Sequence, residues 1–156
     1  MKKSAGLLMY RWHGGSLYVL LGHMGGPFWK NKDDHAWSIP KGECGDDESP
    51  FMAAKREFTE ETGLEAAGDF RELGEVKQSG GKTVKAWAFE GDCDASQLQS
   101  NTFQMEWPPR SGKTAQFPEM DRFAWFGIDK ARHKIVKGQL ALIDALRETL
   151  GGKGAK

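Results

Sequence analysis

Cysteine is scarce in this chain. Cys44 and Cys93 are its only two, too few for a disulfide framework and without the C-x-x-C spacing of a zinc or redox motif. Both read as reduced thiols, which points to the cytoplasm. Net charge is absent as well, because 22 Lys and Arg balance 22 Asp and Glu. Neither a general nucleic-acid surface nor a membrane surface is expected, so any phosphate-binding site has to be local. Long apolar runs are missing. Met1-Lys2-Lys3 has the basic character of a signal peptide, but the apolar stretch behind it stops at Arg11, too soon for a hydrophobic core region. No run is long enough to span a bilayer. His13, His23, His35 and His133 are too scattered to form a metal set by spacing. There is no D-x-D-x-D-G calcium loop and no internal repeat. What remains is one cytoplasmic domain, residues 1–150, followed by a tail at 151–156 whose composition reads as disordered.

The apolar pattern supplies the elements. Residues 4–12 are β-like, and Gly14-Gly15 marks a hairpin turn into 16–23. Such an apolar pair suits the middle of a sheet covered on both faces. Gly25-Gly26-Pro27 opens a long polar loop that closes near Trp37-Ser38-Ile39-Pro40. Residues 70–78 and 83–90 flank Gly80-Gly81 as a second hairpin, and 101–107 predicts a strand ended by Pro108-Pro109. A second long loop is expected over 110–120, then an apolar strand at 122–128. Leu140, Ile143, Leu146 and Leu150 recur at helical spacing, which predicts a C-terminal helix with one buried face over 138–150.

The chemistry concentrates between these parts. Ser49 is suited to cap a helix, Pro50 to occupy its first position, and Gly63 to stop it. At helical spacing Phe51, Ala54 and Phe58 form the core stripe, while Glu57, Glu60 and Glu61 share a neighbouring face. On that surface Arg56 reaches Glu60 at most and Lys55 points elsewhere, so the carboxylates repel one another. A hard divalent cation would relieve the repulsion and draw a phosphate to the helix. A solvated acidic face is the bland alternative, and it is the usual meaning of a charge run taken alone.

The flanking residues decide between the two. Gly42-x5-Glu48-x7-Arg56-Glu57-Phe58-x-Glu60-Glu61-x-Gly63-Leu64 resembles the signature of the Nudix hydrolase family, with an aromatic Phe58 where an aliphatic residue is usual. Trp37-Ser38-Ile39-Pro40-Lys41 is similar to the family's lead-in strand. The resemblance implies an α/β/α sandwich with a mixed sheet and the motif as loop–helix–loop. It also implies hydrolysis of a nucleoside diphosphate linked to another group, with a divalent ion neutralising the phosphates. Magnesium is the expected ion and manganese its substitute. Carried onto this chain, the metal ligands are Glu57, Glu60 and Glu61, with the Lys41 carbonyl adding an oxygen. Gly42, Glu48, Arg56 and Gly63 hold the motif together, Arg56 and Glu48 by pairing loop and helix carboxylates. The general base in such enzymes is a motif glutamate or a glutamate from a distant loop; Glu119, in Phe117-Pro118-Glu119-Met120-Asp121, is the candidate of the second kind. An exposed loop acid is the alternative reading of Glu119.

Substrate choice lies outside the motif. Dinucleoside polyphosphate hydrolases of this family tend to carry a tyrosine where this chain has Ser79-Gly80-Gly81, and the markers tied to ADP-ribose and NADH are absent. The general layout still resembles small members acting on nucleoside triphosphates or dinucleoside polyphosphates. Aromatic and basic residues gather in the two long loops: Phe28, Trp29, Lys30, Lys32, His35 and Trp37 in the first, Trp107, Arg110 and Lys113 in the second. An adenine stacked on a tryptophan, with Lys41 or Arg110 on a phosphate, is one use for them. Tryptophans covering the core beneath irregular loops are the other. A non-catalytic Nudix-like domain that senses a nucleotide or scaffolds a partner is the rival function; such domains typically have eroded acids, and here every motif acid is present.

Overall fold

The computed structural model describes residues 3–150, without the side chain of Ser79; the expected tail at 151–156 lies outside the described residues. β1 (Lys3–His13) and β2 (Ser16–Met24) form the anticipated hairpin at the centre of a mixed sheet. β1 runs parallel to β6 (Thr83–Glu90), which pairs antiparallel with the edge strand β5 (Phe70–Lys77). On its other side β2 pairs with the short β3 (Trp37–Ser38) and with β9 (Met120–Gly127). Side chains alternate across β1 as the pleat requires. Ala5, Leu7 and Met9 join the cluster that includes Ala53, Ala54 and Phe58 of helix α1 (Pro50–Thr62). Leu8 and Tyr10 face Ala131 of α2 (Ile128–Lys134) and Leu142, Ile143 and Leu146 of α3 (Leu140–Thr149). Helices therefore cover both faces of the sheet, giving the α/β/α layering.

One crossing sets the position of the segment that leads into the acidic helix. β1 leaves β2 after their first few pairs, and β4 (Lys41–Glu43) takes its place, with Gly6 opposite Lys41 and Ala5 opposite Gly42. Gly6 permits this crossing: a Cβ there would come within 2.5 Å of the Pro40 carbonyl oxygen, which accepts from the Leu7 amide at 3.2 Å.

Two expectations need correction, and one helix carries no sequence signal. Residues 110–120 are not a long loop, because β8 (Thr114–Pro118) pairs with β7 (Thr102–Glu106) as a separate two-stranded sheet. Its alternating polar residues and terminal proline gave no apolar signal. Helix α2, at seven residues, is too short to show a helical period. In α3 the buried face is Leu142, Ile143 and Leu146, with Leu140 and Leu150 only half-buried. No helix among the described residues is long and apolar enough to cross a membrane.

The histidines brace the backbone. His23 is fully buried, with Nδ1 2.9 Å from the Asp121 carboxylate and Nε2 2.6 Å from the Lys32 carbonyl oxygen. It thereby ties the 25–36 loop to the start of β9. His35 and His133 hydrogen-bond to the carbonyls of Ile135 and Asp129. Trp37 is core: 4% exposed, edge-on to Phe126 and His23, with its indole N–H donating to Asp33. For Trp37 the core-covering reading is correct.

Candidate active site

Helix α1 begins and ends where its local chemistry dictates. The Ser49 hydroxyl accepts from the Met52 amide at 3.2 Å, Pro50 opens the helix, and Gly63 closes it in the left-handed region at φ 82°. Phe58 is fully buried against Phe89, which contributes about 1.5–3 kcal/mol and fixes the rotation of the helix. Phe51 is half-buried, edge-on to Phe70 and Trp87, and Ala53 joins Ala54 in the core. That rotation gives the three glutamates different surroundings.

Glu60 is exposed, and Glu57 is partly covered. Glu61 is 4% exposed, and its Oε1 has no hydrogen-bond partner. Burial, then the charges of Glu119 and Glu57, push the Glu61 carboxyl up to about 8. Burial also raises Glu57, against the opposing pull of Arg56. Lys41 sits in the same field: burial and Lys82 lower its ammonium pKa, while Glu61, Glu119 and Glu57 favour its charge. Glu119 is exposed, yet the protein beside it raises its pKa by partial desolvation, with Lys41 pulling the other way. The structure thus brings Glu57, Glu61, Glu119 and Lys41 together from three separate stretches of chain.

Arg56 reaches further than helical spacing alone suggests, because two of its partners precede the helix, Glu48 in the loop and Glu43 at the end of β4. Its guanidinium donates to Glu48 at 2.7 and 2.9 Å, to Glu57 at 2.8 Å, to Glu60 at 3.0 Å and to the Glu43 carbonyl at 3.0 Å. The Glu48 carboxyl is held down to about 2 by Arg56 and by the Gly45 amide. This fork ties β4, the loop and α1 into one unit. Arg56→Lys keeps the charge and loses the planar fork, so metal affinity should fall about 10–100-fold, the usual cost of losing a group that orients a ligand. Calorimetric metal titration beside a melting curve checks this; a large stability loss with unchanged metal binding would make Arg56 purely architectural.

Gly42 is the floor beneath Glu57. A Cβ there would lie 2.0 Å from the Glu57 carboxyl carbon, so the carboxylate rests against the backbone just after the Lys41 carbonyl. Since the obstructing atom ends a flexible side chain, Gly42→Ala should swing Glu57 aside at little cost in melting temperature. Metal affinity should still drop at least tenfold. Unchanged metal binding in that variant would separate Glu57 from the ion.

Arg110 is elsewhere. It occupies the exposed turn of the β7–β8 hairpin with φ 62°, while Glu119 follows β8 at the opposite end, about 17 Å from the start of the strand at Thr114 by strand rise. The structure does not bring Arg110 to the motif glutamates. Among the described residues no three acidic, His or Cys side chains close into a ready-made metal cage. Magnesium asks for less: one or two carboxylates beside waters and substrate phosphates. An unpartnered buried carboxylate oxygen beside a second carboxylate, with only oxygen donors at hand, fits such an ion.

A sandwich that carries a loop–helix–loop of paired glutamates at one end of its central strands defines a hydrolase of the Nudix type. Residues 2–146 match the model of the NUDIX domain, and the chain belongs to that family. An RNA pyrophosphohydrolase of Bartonella henselae is 27% identical over 143 residues, covering 82% of this chain and 77% of the relative. Among solved structures, a binary complex of the C. elegans Ap4A hydrolase matches with a TM-score of 0.67 at 23% identity, covering 97% of this chain and 99% of the other. The NUDIX domain of Shewanella oneidensis NrtR complexed with ADP ribose matches with a TM-score of 0.66 at 19% identity, covering 95% and 87%. These two likenesses are likenesses of fold.

Proposed function

We propose that this chain is a magnesium-dependent pyrophosphohydrolase that splits a phosphoanhydride bond in a nucleoside diphosphate linked to another group, with nucleoside triphosphates and dinucleoside polyphosphates as the first substrates to test. The observation that carries this reading is the buried, unpartnered Glu61 carboxyl beside Glu57, Glu119 and Lys41. Three carboxyl groups around the single Lys41 ammonium lack balancing positive charge, which is costly where Glu61 is buried, and a divalent cation arriving with the substrate would supply it. When bound, the divalent ion contributes charge neutralisation on the phosphates and a more acidic water.

The protein's own groups do the rest. Glu57 and Glu61 hold the ion together with the Lys41 carbonyl, and Glu60 lies on the outer side, clamped by Arg56. The Lys41 ammonium holds a phosphate oxygen and orients the chain of phosphates. Glu119, facing these groups from the β8–β9 junction, accepts the proton of the attacking water. The site works in the cytoplasm on a small nucleotide, and manganese substitutes for magnesium. Support comes from the RNA pyrophosphohydrolase and Ap4A hydrolase relatives, whose substrates share a nucleoside on a phosphate chain.

A nucleotide panel incubated with magnesium, manganese or chelator in heavy-oxygen water, with products identified by mass spectrometry, tests the assignment. Metal-dependent cleavage with one labelled phosphate product is expected. Binding without cleavage by any member of the panel would favour the sensing or scaffolding alternative.

A further inference from the structure

A cleft of about 460 Å³ is lined by Gly26, Pro27, Lys30, Trp107, Phe117 and Asp121. It separates the 25–36 loop from the β7–β8 hairpin. Both walls are anchored. The Gly25 amide donates to the Glu119 carbonyl at 3.0 Å, and a Cβ at Gly25 would collide with the Pro118 carbonyl oxygen. On the hairpin side Phe103 and Phe117 pack behind the wall, with Phe103 lying beneath Gly26.

At the mouth, Phe28 is 59% exposed and meets the half-buried Trp107 edge to face at 5.6 Å. An aromatic ring this exposed leaves apolar surface in water, and its T-shaped contact with Trp107 leaves ring surface open to stacking. Lys30 brings a cation to one wall, and the Asp121 carboxylate, steadied by His23 and Arg122, brings an acceptor to the other. Pro118 also lines the cleft, so the cleft and Glu119 are chain neighbours.

We propose that the cleft lined by Trp107, with the exposed Phe28 ring beside it, binds the second nucleoside of a two-armed substrate, the one beyond the phosphate chain held at Glu61 and Lys41. This rests on the hydrolase assignment above. The distal base stacks on Phe28 and Trp107, its ribose hydroxyls donate to Asp121, and Lys30 meets the phosphate that enters the cleft. Stacking of this kind accepts any base, because every base has a π-face. The same second nucleoside exists in a dinucleoside polyphosphate and at the 5′ end of a triphosphorylated RNA.

The test compares Phe28→Leu with Phe28→Tyr on diadenosine tetraphosphate, a 5′-triphosphorylated RNA dinucleotide and ATP. Removal of one stacking ring weakens base binding about 5- to 100-fold. Phe28→Leu should therefore raise KM about tenfold or more for a two-armed substrate, with kcat little moved and a several-fold smaller effect on ATP, and Phe28→Tyr should restore it. Whichever two-armed substrate responds identifies the source of the second nucleoside. Equal losses on all three substrates, or none on either two-armed one, would overturn the proposal. Calorimetric binding of diadenosine tetraphosphate in chelator separates this from failure of the hydrolase assignment. If nothing is cleaved but affinity falls tenfold in Phe28→Leu and recovers in Phe28→Tyr, the cleft assignment stands alone; equal affinities sink it.

Discussion

Glu61→Gln is expected to lower turnover by at least a hundredfold while leaving the fold intact. The residue is nearly inaccessible, has an unpartnered oxygen, and is crowded by Glu57 and Glu119. Its amide isostere fills the same space and cannot carry the charge that pairs with a cation. Losing one metal-positioned carboxylate removes several kcal/mol of transition-state stabilisation, and each 1.36 kcal/mol is tenfold in rate. Stability should move in the opposite direction from activity. Without metal, folding lifts the Glu61 pKa from 4.5 to about 8, so in that window the folded state holds a proton that the unfolded state releases. Stability contributed by the protonated form is complete below pH 4.5 and is lost as pH rises towards 8. The metal-free wild type should melt several degrees lower at pH 8 than at pH 6, Glu61→Gln should lose most of that slope, and magnesium should restore the wild type at pH 8 but not the variant. Wild-type turnover in the variant, or an unchanged pH slope, would remove Glu61 from the metal site.

Glu119→Gln should lower kcat by about 10²–10⁴-fold, the range of general-base assistance, and leave KM close to the wild-type value. Glu119 reaches the motif from another part of the chain: its charge is felt at Glu61, Glu57 and Lys41, yet it belongs to the junction of β8 and β9. The junction is well secured. The Glu119 amide donates to the Asn101 carbonyl at 2.9 Å, and the Met120 amide donates to Ser100 Oγ. Burial raises its pKa, but an ion between Glu119 and the motif would favour the ionised form, so the loss should persist across neutral pH. Full turnover in Glu119→Gln would return the base role to a motif glutamate, Glu57 first.

Helix α1 was legible because its signals are local. Ser49, Pro50 and Gly63 each act through the backbone within a turn of their own position, and Phe58 sets the rotation by being large and apolar. The central hairpin was legible for the same reason, through Gly14-Gly15. What the sequence hid depends on partners far along the chain. Glu60 and Glu61 are identical neighbours, yet one is exposed and the other buried because of what packs against the helix. The reach of Arg56 depends on Glu48, supplied by the loop before the helix, and on the Glu43 carbonyl at the end of β4. β8 was hard to read because it pairs with β7 alone and its apolar face is reduced to Ala115 and Phe117 between exposed polar residues. Arg110 looked available for a phosphate only while 110–120 was taken for a loop free to fold back.

The detachment of the β7–β8 hairpin has an evolutionary consequence. Its ladder is self-contained, from Thr102 opposite Pro118 to Glu106 opposite Thr114, and the bonds that hold Glu119 lie at its root rather than along its length. Cross-strand pairs can be inserted or deleted at the turn without shifting the register of β9 against β2. Selection can therefore reshape the outer wall of the cleft while the segment that carries Glu119 is inherited unaltered.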